Sequence, residues 1–232
     1  MTPSRANLAF LVVILAAQLL VGLGLLDRRA SRPALTPPPS HAVALASALG
    51  DGEFFFRGGV MRMMTIGVTG GELVPMRELD YGDLTGWFSL LDSFDPRSLT
   101  VPYLAAYWYG FTPNTPDARY IIDYLLSRAT FDAKHGWRWR VQAMYLAKHR
   151  LGDLELALSI AEDLAARDDP EAPYWVEHMP AFMLEGLGER EAALILLMSI
   201  MESTPDMSDD ERDALNRAIE RLNDEEPSGE TR

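Results

Sequence analysis

The sequence has no cysteine among its 232 residues. Without thiols, disulfide bonds, thiolate nucleophiles, iron–sulfur clusters and most structural zinc sites are excluded, although the compartment is not decided. Basic side chains are also scarce, because 21 Lys and Arg stand against 34 Asp and Glu and the net charge is −13. Binding a phosphate backbone normally needs a clustered basic surface, so we expect no nucleic-acid partner. The apolar content of 48% is nevertheless sufficient for a sizeable core.

Residues that could carry catalysis are few and scattered. None of the four histidines has the His-Glu-x-x-His spacing of a zinc hydrolase: His41, His135, His149 and His178. The stretch GVTGGE at 67–72 has the glycines of a phosphate-binding loop but no Lys-Ser/Thr pair after it, so it is interpreted as a turn. We therefore predict that the chain is not an enzyme and has no catalytic residues, metal, cofactor or small-molecule substrate.

Two short motifs have both a functional and a structural interpretation. The stretch WRWR at 137–140 could stack nucleic-acid bases, but the acidic composition favours the start of a helix with arginine packed on tryptophan. Met61, Met63 and Met64 could bind copper(I) through their thioethers. Because no second Met or His cluster accompanies them, they are interpreted as core-filling side chains.

A long apolar run lies near the N-terminus. Residues 8–26 are nineteen residues with Gln18 as the only polar side chain, and a helix of this length reaches about 28 Å, close to the thickness of a bilayer core. A cleaved signal peptide is the alternative, but its apolar region is usually shorter and a small-residue cleavage site follows it directly. Here Asp27 and Arg28 follow instead. We therefore predict an uncleaved transmembrane anchor.

The flanks of the anchor suggest how the chain is divided. Residues 27–41 are rich in Pro and Ser, so they are interpreted as a semi-rigid linker between the anchor and a helical domain. The predicted division is a tail at 1–7, the anchor at 8–26, the linker at 27–41, a helical repeat domain at 42–224 and a disordered tail at 225–232. The positive-inside rule favours a cytoplasmic domain by one charge, whereas the usual role of a single N-terminal anchor favours the outside.

An internal repeat runs through the predicted helical domain. Four acidic residues separated by 37, 36 and 36 positions each open a helical pattern: Asp80, Asp117, Asp153 and Glu189. Apolar residues follow each of them at the fourth and eighth positions: Leu84, Ile121, Ala157 and Ala193, then Phe88, Leu125, Ala161 and Leu197. An acidic residue suits the N-terminus of a helix, and this spacing predicts one buried helical face.

Second helical segments are expected between the copies, at about 98–110, 136–150 and 174–187, with Pro180 shortening the last. The repeating unit is then a helix pair, and stacked pairs make a superhelix. Residues 208–224 begin with an N-cap Ser208 and a capping-box Glu211, which is typical of a terminal capping helix.

These units resemble the second half of a tetratricopeptide repeat. Gly152 and Gly188 stand at the turn, Ala157 and Ala193 at the close-packing position, and Pro170 or Pro205 at the end: GDLELALSIAEDLAARDDP and GEREAALILLMSIMESTPD. The resemblance covers residues 79–206, but the period exceeds the family's usual 34 residues and the first helices lack the family's Trp and Gly. The whole chain resembles a loose group of bacterial membrane-anchored tetratricopeptide proteins.

The resemblance implies an all-α fold with an N-terminal transmembrane helix, a right-handed solenoid of about three to four helix pairs and a C-terminal capping helix. It implies a scaffold or assembly factor of the bacterial envelope that binds another protein, in the inner membrane with the domain in the periplasm. The alternative is a stoichiometric structural subunit of a membrane machine. The predicted partner-binding residues, on the first helices that line the concave groove, are Tyr103, Tyr107, Trp108, Trp137, Arg138, Arg140, Tyr145 and Trp175.

Overall fold

The computed structural model of the chain describes residues 10, 12–20, 35–66, 68–69, 72–167, 169–204 and 206–224. Residues 1–33 form one unit and residues 34–232 form a second, compact unit. Residues 10 and 12–20 are helical. Outside the described residues lie both predicted tails, the rest of the predicted anchor, most of the predicted linker, and Pro205. Within the described parts, no helix combines the length and the apolar character needed to span a bilayer.

Helices account for nearly all of the regular secondary structure described in the compact unit. They are α1 (His41–Ser47), α2 (Gly52–Thr65), α3 (Tyr81–Phe94), α4 (Thr100–Leu104), α5 (Ala118–Phe131), α6 (Gly136–Leu146), α7 (Leu154–Ala165), α8 (Met179–Leu187), α9 (Arg190–Ser203) and α10 (Asp209–Asp224). The strands β1 (Val68–Thr69) and β2 (Glu72–Leu73) pair antiparallel at the stretch that the sequence predicted as a turn. The fold is therefore all-α, with this small hairpin as the exception.

The four repeated helices begin where the spacing predicts. The residues Asp80, Asp117, Asp153 and Glu189 are the N-caps of α3, α5, α7 and α9. The side chains of Asp80 and Asp153 accept a bond from the backbone N–H three residues on. All eight apolar residues at the fourth and eighth positions are buried, each at most 1% exposed. The predicted helix starts and the predicted buried face are confirmed.

The helices that precede them are helical as predicted but irregular. α4 continues into a π-helix over Ala105–Tyr109, and α6 continues into a π-helix over Ala147–Leu151. A 3-10 turn over Tyr174–His178 leads into α8, where Pro180 lies in the first turn and needs no intrahelical partner. The chain leaves the second and third of these helices through Gly152 and Gly188, whose φ angles of 69° and 81° suit glycine.

Packing follows the order of the chain. α3 contacts α5, and each helix from α5 to α9 contacts the next one along the chain. One apolar core runs from Leu35 to Met183, and a smaller one joins α8, α9 and α10 through Ala193, Leu197 and Leu215. In α10, the Ser208 hydroxyl accepts a bond from the Glu211 N–H at 3.3 Å, which confirms the predicted N-cap.

Candidate functional site: an aromatic face on the first helices

Three large aromatic side chains on α4 and its π-helix are exposed to solvent. Tyr103, Tyr107 and Trp108 are 38%, 52% and 56% exposed, and they line an open cleft of about 440 Å³ together with Met64, Thr100 and Leu104. Within this π-helix the successive residues Tyr107 and Trp108 both lie outside, whereas Ala106 and Tyr109 lie inside. The rings of Tyr103 and Tyr107 stack at 5.6 Å between centroids.

Residues of α6 extend this surface. The exposed Arg138 places its Nη1 atom 3.5 Å from the Tyr103 hydroxyl oxygen and its guanidinium 5.1 Å from the centre of the Trp137 ring. Trp137 in turn meets Trp175 edge to face at 6.0 Å. The name aromatic face is used below for six residues: Tyr103, Tyr107, Trp108, Trp137, Arg138 and Trp175. Six of the eight predicted partner-binding residues therefore belong to this surface: five are linked through ring and guanidinium contacts, and Trp108 lines the same cleft as Tyr103 and Tyr107.

The other two predicted residues lie elsewhere. Tyr145 is exposed, but its ring packs at a tilted angle against His149, with 4.5 Å between ring centroids, and forms a separate cluster. Arg140 is only 6% exposed, and it donates to the Asp163 carboxylate at 3.2 Å and to the Ala129 carbonyl at 3.3 Å. Four-residue stretches of a helix cover all of its sides, so Arg140 points into the protein while Arg138 points out. Arg140 ties α6 to α5 and α7 and is not available to a partner.

The predicted core role of the three methionines holds for one of them. Met63 is fully buried, whereas Met61 and Met64 are 68% and 61% exposed. Residues two apart on a helix lie on nearly opposite sides, so Met61 and Met63 cannot share the core. Met64 forms one wall of the aromatic cleft instead.

Each of the four histidines has a neighbour inside the compact unit. His41 stacks on Phe94, His135 contacts Asp132, His149 packs at a tilted angle against Tyr145, and His178 is buried 3.6 Å from Glu211. Burial lowers the pKa of His178 and raises the pKa of Glu211. Within the described ranges, no three His, Asp or Glu residues are grouped so as to hold a metal ion.

A second cleft, of about 350 Å³, lies between α3 and α5 and was not predicted from the sequence. Asp92 and Arg128 line it, with Asp92 Oδ2 3.6 Å from Arg128 Nε and 2.8 Å from the Tyr124 hydroxyl, which donates to it. Arg128 also donates to the Pro96 carbonyl and lies 3.6 Å from Asp132 Oδ2. Asp92 lies twelve residues after Asp80 and Arg128 eleven residues after Asp117, so the two are not at equivalent positions of the repeat, and the spacing gave no signal for the pair.

Burial and hydrogen bonding shift the pKa values of this cluster in opposite directions. Desolvation outweighs the Tyr124 hydrogen bond and the Arg128 charge and raises the pKa of Asp92 from 3.8 to about 6. The pKa of Tyr124 is raised as well, by burial and by the charge of Asp92. For Asp132, hydrogen bonds from Trp139 and His135 and the Arg128 charge together exceed the opposing desolvation and lower the pKa. The cluster thus joins α3, α5 and α6 through partly compensated charges.

In comparisons with known proteins, the chain matches no protein-family model, no curated protein and no solved structure.

Proposed function

We propose that this chain is a membrane-anchored scaffold whose helical repeats bind another protein through the aromatic face. The observation that carries the proposal is the open cleft bordered by the exposed rings of Tyr103, Tyr107 and Trp108, with Arg138 at its edge. Monomeric proteins rarely leave large rings clustered in water, so such a cluster is typical of a binding surface.

The residue types of this surface suit a protein partner. Tyr, Trp and Arg are enriched among the residues that carry most of the binding energy at protein interfaces, and Tyr and Trp bury a large area while losing little conformational freedom. The stacking of Tyr103 on Tyr107 and the packing of Arg138 on Trp137 hold these side chains in place before a partner arrives. Arg138 supplies the paired donors that a partner carboxylate needs.

The proposed architecture is a tetratricopeptide-like, right-handed solenoid. It is supported by the period of 36 or 37 residues, the four acidic N-caps and the contacts between successive helices. In a solenoid of this kind, the first helices line the concave side, where the aromatic face would lie. The proposed anchor is supported by the apolar run at 8–26, and it would raise the effective concentration of a membrane partner. We place the domain in the periplasm of a bacterium, which protease protection of intact spheroplasts tests.

The test is a comparison of co-purified proteins. The full chain and its Tyr107→Ala/Trp108→Ala double variant are isolated from membranes under the same mild conditions, and the associated proteins are quantified. Loss of two interface anchors should reduce recovery of the partner at least about tenfold. Arg140, although predicted as a binding residue, is left unchanged because it is buried.

The matched control is Tyr120→Ala. Tyr120 is 49% exposed on α5 and lies outside the cleft, so this variant should recover the partner at the wild-type level. Equal recovery by the double variant, with an unchanged melting temperature, would exclude the aromatic face as the binding surface.

A permanent structural subunit is the second candidate, and one observation favours it. Phe54, Met61 and Met64 are exposed along α2 at helical spacing, as the side chains of an unfilled interface would be. Purification in mild detergent separates the two candidates. A permanent subunit co-migrates with its complex at fixed stoichiometry through successive columns, whereas a transient scaffold dissociates on dilution.

A further inference from the structure

The described part of the predicted linker is docked on α3. Leu35 is 4% exposed and belongs to the main core. The next residue, Thr36, accepts a hydrogen bond at its carbonyl from Trp87 Nε1 at 2.7 Å. The segment Leu35–Pro39, here called the proline strap, is therefore held by a buried leucine at its first residue and by a hydrogen bond from an indole at its second.

Gly86 makes room for the middle of the proline strap. A Cβ atom at position 86 would lie 2.9 Å from Pro38 Cγ and 3.4 Å from Pro38 Cδ, closer than side chains normally approach. Glycine inside a helix costs about 1 kcal/mol relative to alanine. Close packing of the Pro38 ring against the helix backbone gives this glycine a structural reason.

The contacts are those by which proteins recognise polyproline II helices. That conformation has no internal hydrogen bonds, so its carbonyls are free to accept from an indole N–H, and its prolines lie in aromatic-lined grooves. Ser40, directly after the strap, has φ −63° and ψ 154°, in the same region of conformational space. Trp87 is only 5% exposed, and the Arg62 guanidinium lies 5.0 Å from the centre of its ring, which fixes the indole.

We propose that the groove formed by Gly86 and Trp87 is a binding site for proline-rich segments, filled in this chain by its own strap and open to a proline-rich segment of a partner protein when the strap is released. The occupant already in place shows which chemistry the groove accepts. A short tether gives it an effective concentration on the order of 1 mM, so a free peptide competes poorly with the resident strap. This site is separate from the aromatic face and does not depend on it.

The experiment measures binding of a fluorescein-labelled peptide, ALTPPPSHA, to the full chain in mild detergent by anisotropy. The strap-release variant, Leu35→Ser/Pro38→Gly, removes the buried Leu35 side chain and the central proline ring of the strap. The strap should then leave the groove. We expect this variant to bind the peptide at least about tenfold more tightly than the wild type does. A peptide with Gly in place of the three prolines should not bind, because it lacks the rings and the preformed conformation.

A groove variant distinguishes specific binding from adhesion. Adding Gly86→Val to the strap-release variant places side-chain atoms where Pro38 packs, so peptide binding should be lost while the circular dichroism spectrum stays unchanged. Equal peptide affinity of the wild type and the strap-release variant, or undiminished binding by the Gly86→Val chain, would overturn the proposal. A strap-dependent dimer of the wild type would overturn it too, because the groove would then serve a second copy.

Discussion

The helices that open at an acidic residue differ from the helices that precede them. α3, α5, α7 and α9 are regular, and their fourth and eighth positions after the N-cap are all buried. α4, α6 and α8 carry π or 3-10 turns, and the first two of them expose Tyr103, Arg138 and Tyr145. Regular spacing serves a surface that must pack on neighbours of the same kind. The exposed rings of the aromatic cleft, Tyr103, Tyr107 and Trp108, lie on α4 and its π-helix instead.

The regular helices carry buried polar contacts of the fold, whereas the helices that precede them carry most of the surface proposed to bind a partner. The buried charges Asp92 and Arg128 stand on α3 and α5, and the N-cap bond of Asp153 stands on α7. The aromatic face stands mainly on α4 and α6. Substitutions on the first group should therefore change stability, and substitutions of exposed residues on the second group should change binding alone.

The largest loss of stability is expected for Arg128→Ala on a regular helix. This change leaves Asp92 and Asp132 without their buried cation, and breaking such a pair typically costs about 3–5 kcal/mol. Urea unfolding followed by circular dichroism measures the loss. Arg119→Ala on the same helix removes an exposed pair with Asp123 and should cost less than about 1 kcal/mol. Similar losses for both variants would show that the buried cluster does not support the fold.

Two tryptophans on the irregular helices separate packing from recognition. Trp139 is 1% exposed and donates to Asp132 Oδ2 at 3.1 Å, so Trp139→Ala should cost about 3–5 kcal/mol. Trp108→Ala removes a ring that is mostly in solvent and should change stability by less than about 0.5 kcal/mol. Thermal melts of both variants give the comparison. A large loss for Trp108→Ala would assign that ring to packing.

The raised pKa of Asp92 predicts a pH-dependent effect of Asp92→Asn. With a folded pKa of about 6 above the ordinary 3.8, the native state binds more protons between these values, so the contribution of Asp92 to stability falls as pH rises from about 4 to 6. Asparagine removes this loss. The variant should therefore gain on the order of 2 kcal/mol relative to the wild type between pH 4 and pH 7. Urea unfolding of both proteins at several pH values tests it, and a constant difference would contradict it.

The smallest effect compares two acidic N-caps. Asp153 accepts from the Leu156 N–H at 2.9 Å, so Asp153→Ala should cost about 1 kcal/mol. Glu189 caps α9 with no side-chain bond to the described residues, so Glu189→Ala should cost only about 0.3 kcal/mol. Denaturation midpoints of the two variants, measured side by side, are sufficient. Equal losses would mean that the position, rather than the hydrogen bond, carries the effect.

Much of the helical framework was predictable, because helix starts and buried faces depend on the spacing of residues along the sequence. An acidic residue before an apolar face at intervals of four marks a helix start, and Leu84, Ile121 and Leu197 were placed in the core on that basis. The site was less predictable. The same periodicity does not show whether a ring such as Tyr107 faces a groove or the core. It also does not predict where a π-helix forms.

Two arginines show most clearly what sequence spacing could not predict. Arg138 and Arg140 are two residues apart in one short motif, yet one contacts Trp137 at the surface and the other is buried against Asp163. Which of them turns inward depends on where α5 and α7 lie. The buried pair of Asp92 and Arg128 was missed for the same reason, because it forms only when two helices pack.

The sequence by itself determined the repeat period, the helix starts and the buried positions, because these follow from N-cap residues and from the spacing of apolar residues within single helices. Only the tertiary structure decided which polar and aromatic side chains meet, because those contacts join residues from separate helices. The proline strap depends on the local sequence and on the tertiary structure. The rings of Pro37, Pro38 and Pro39 restrict its φ angles, whereas its place against Gly86 and Trp87 depends on the fold.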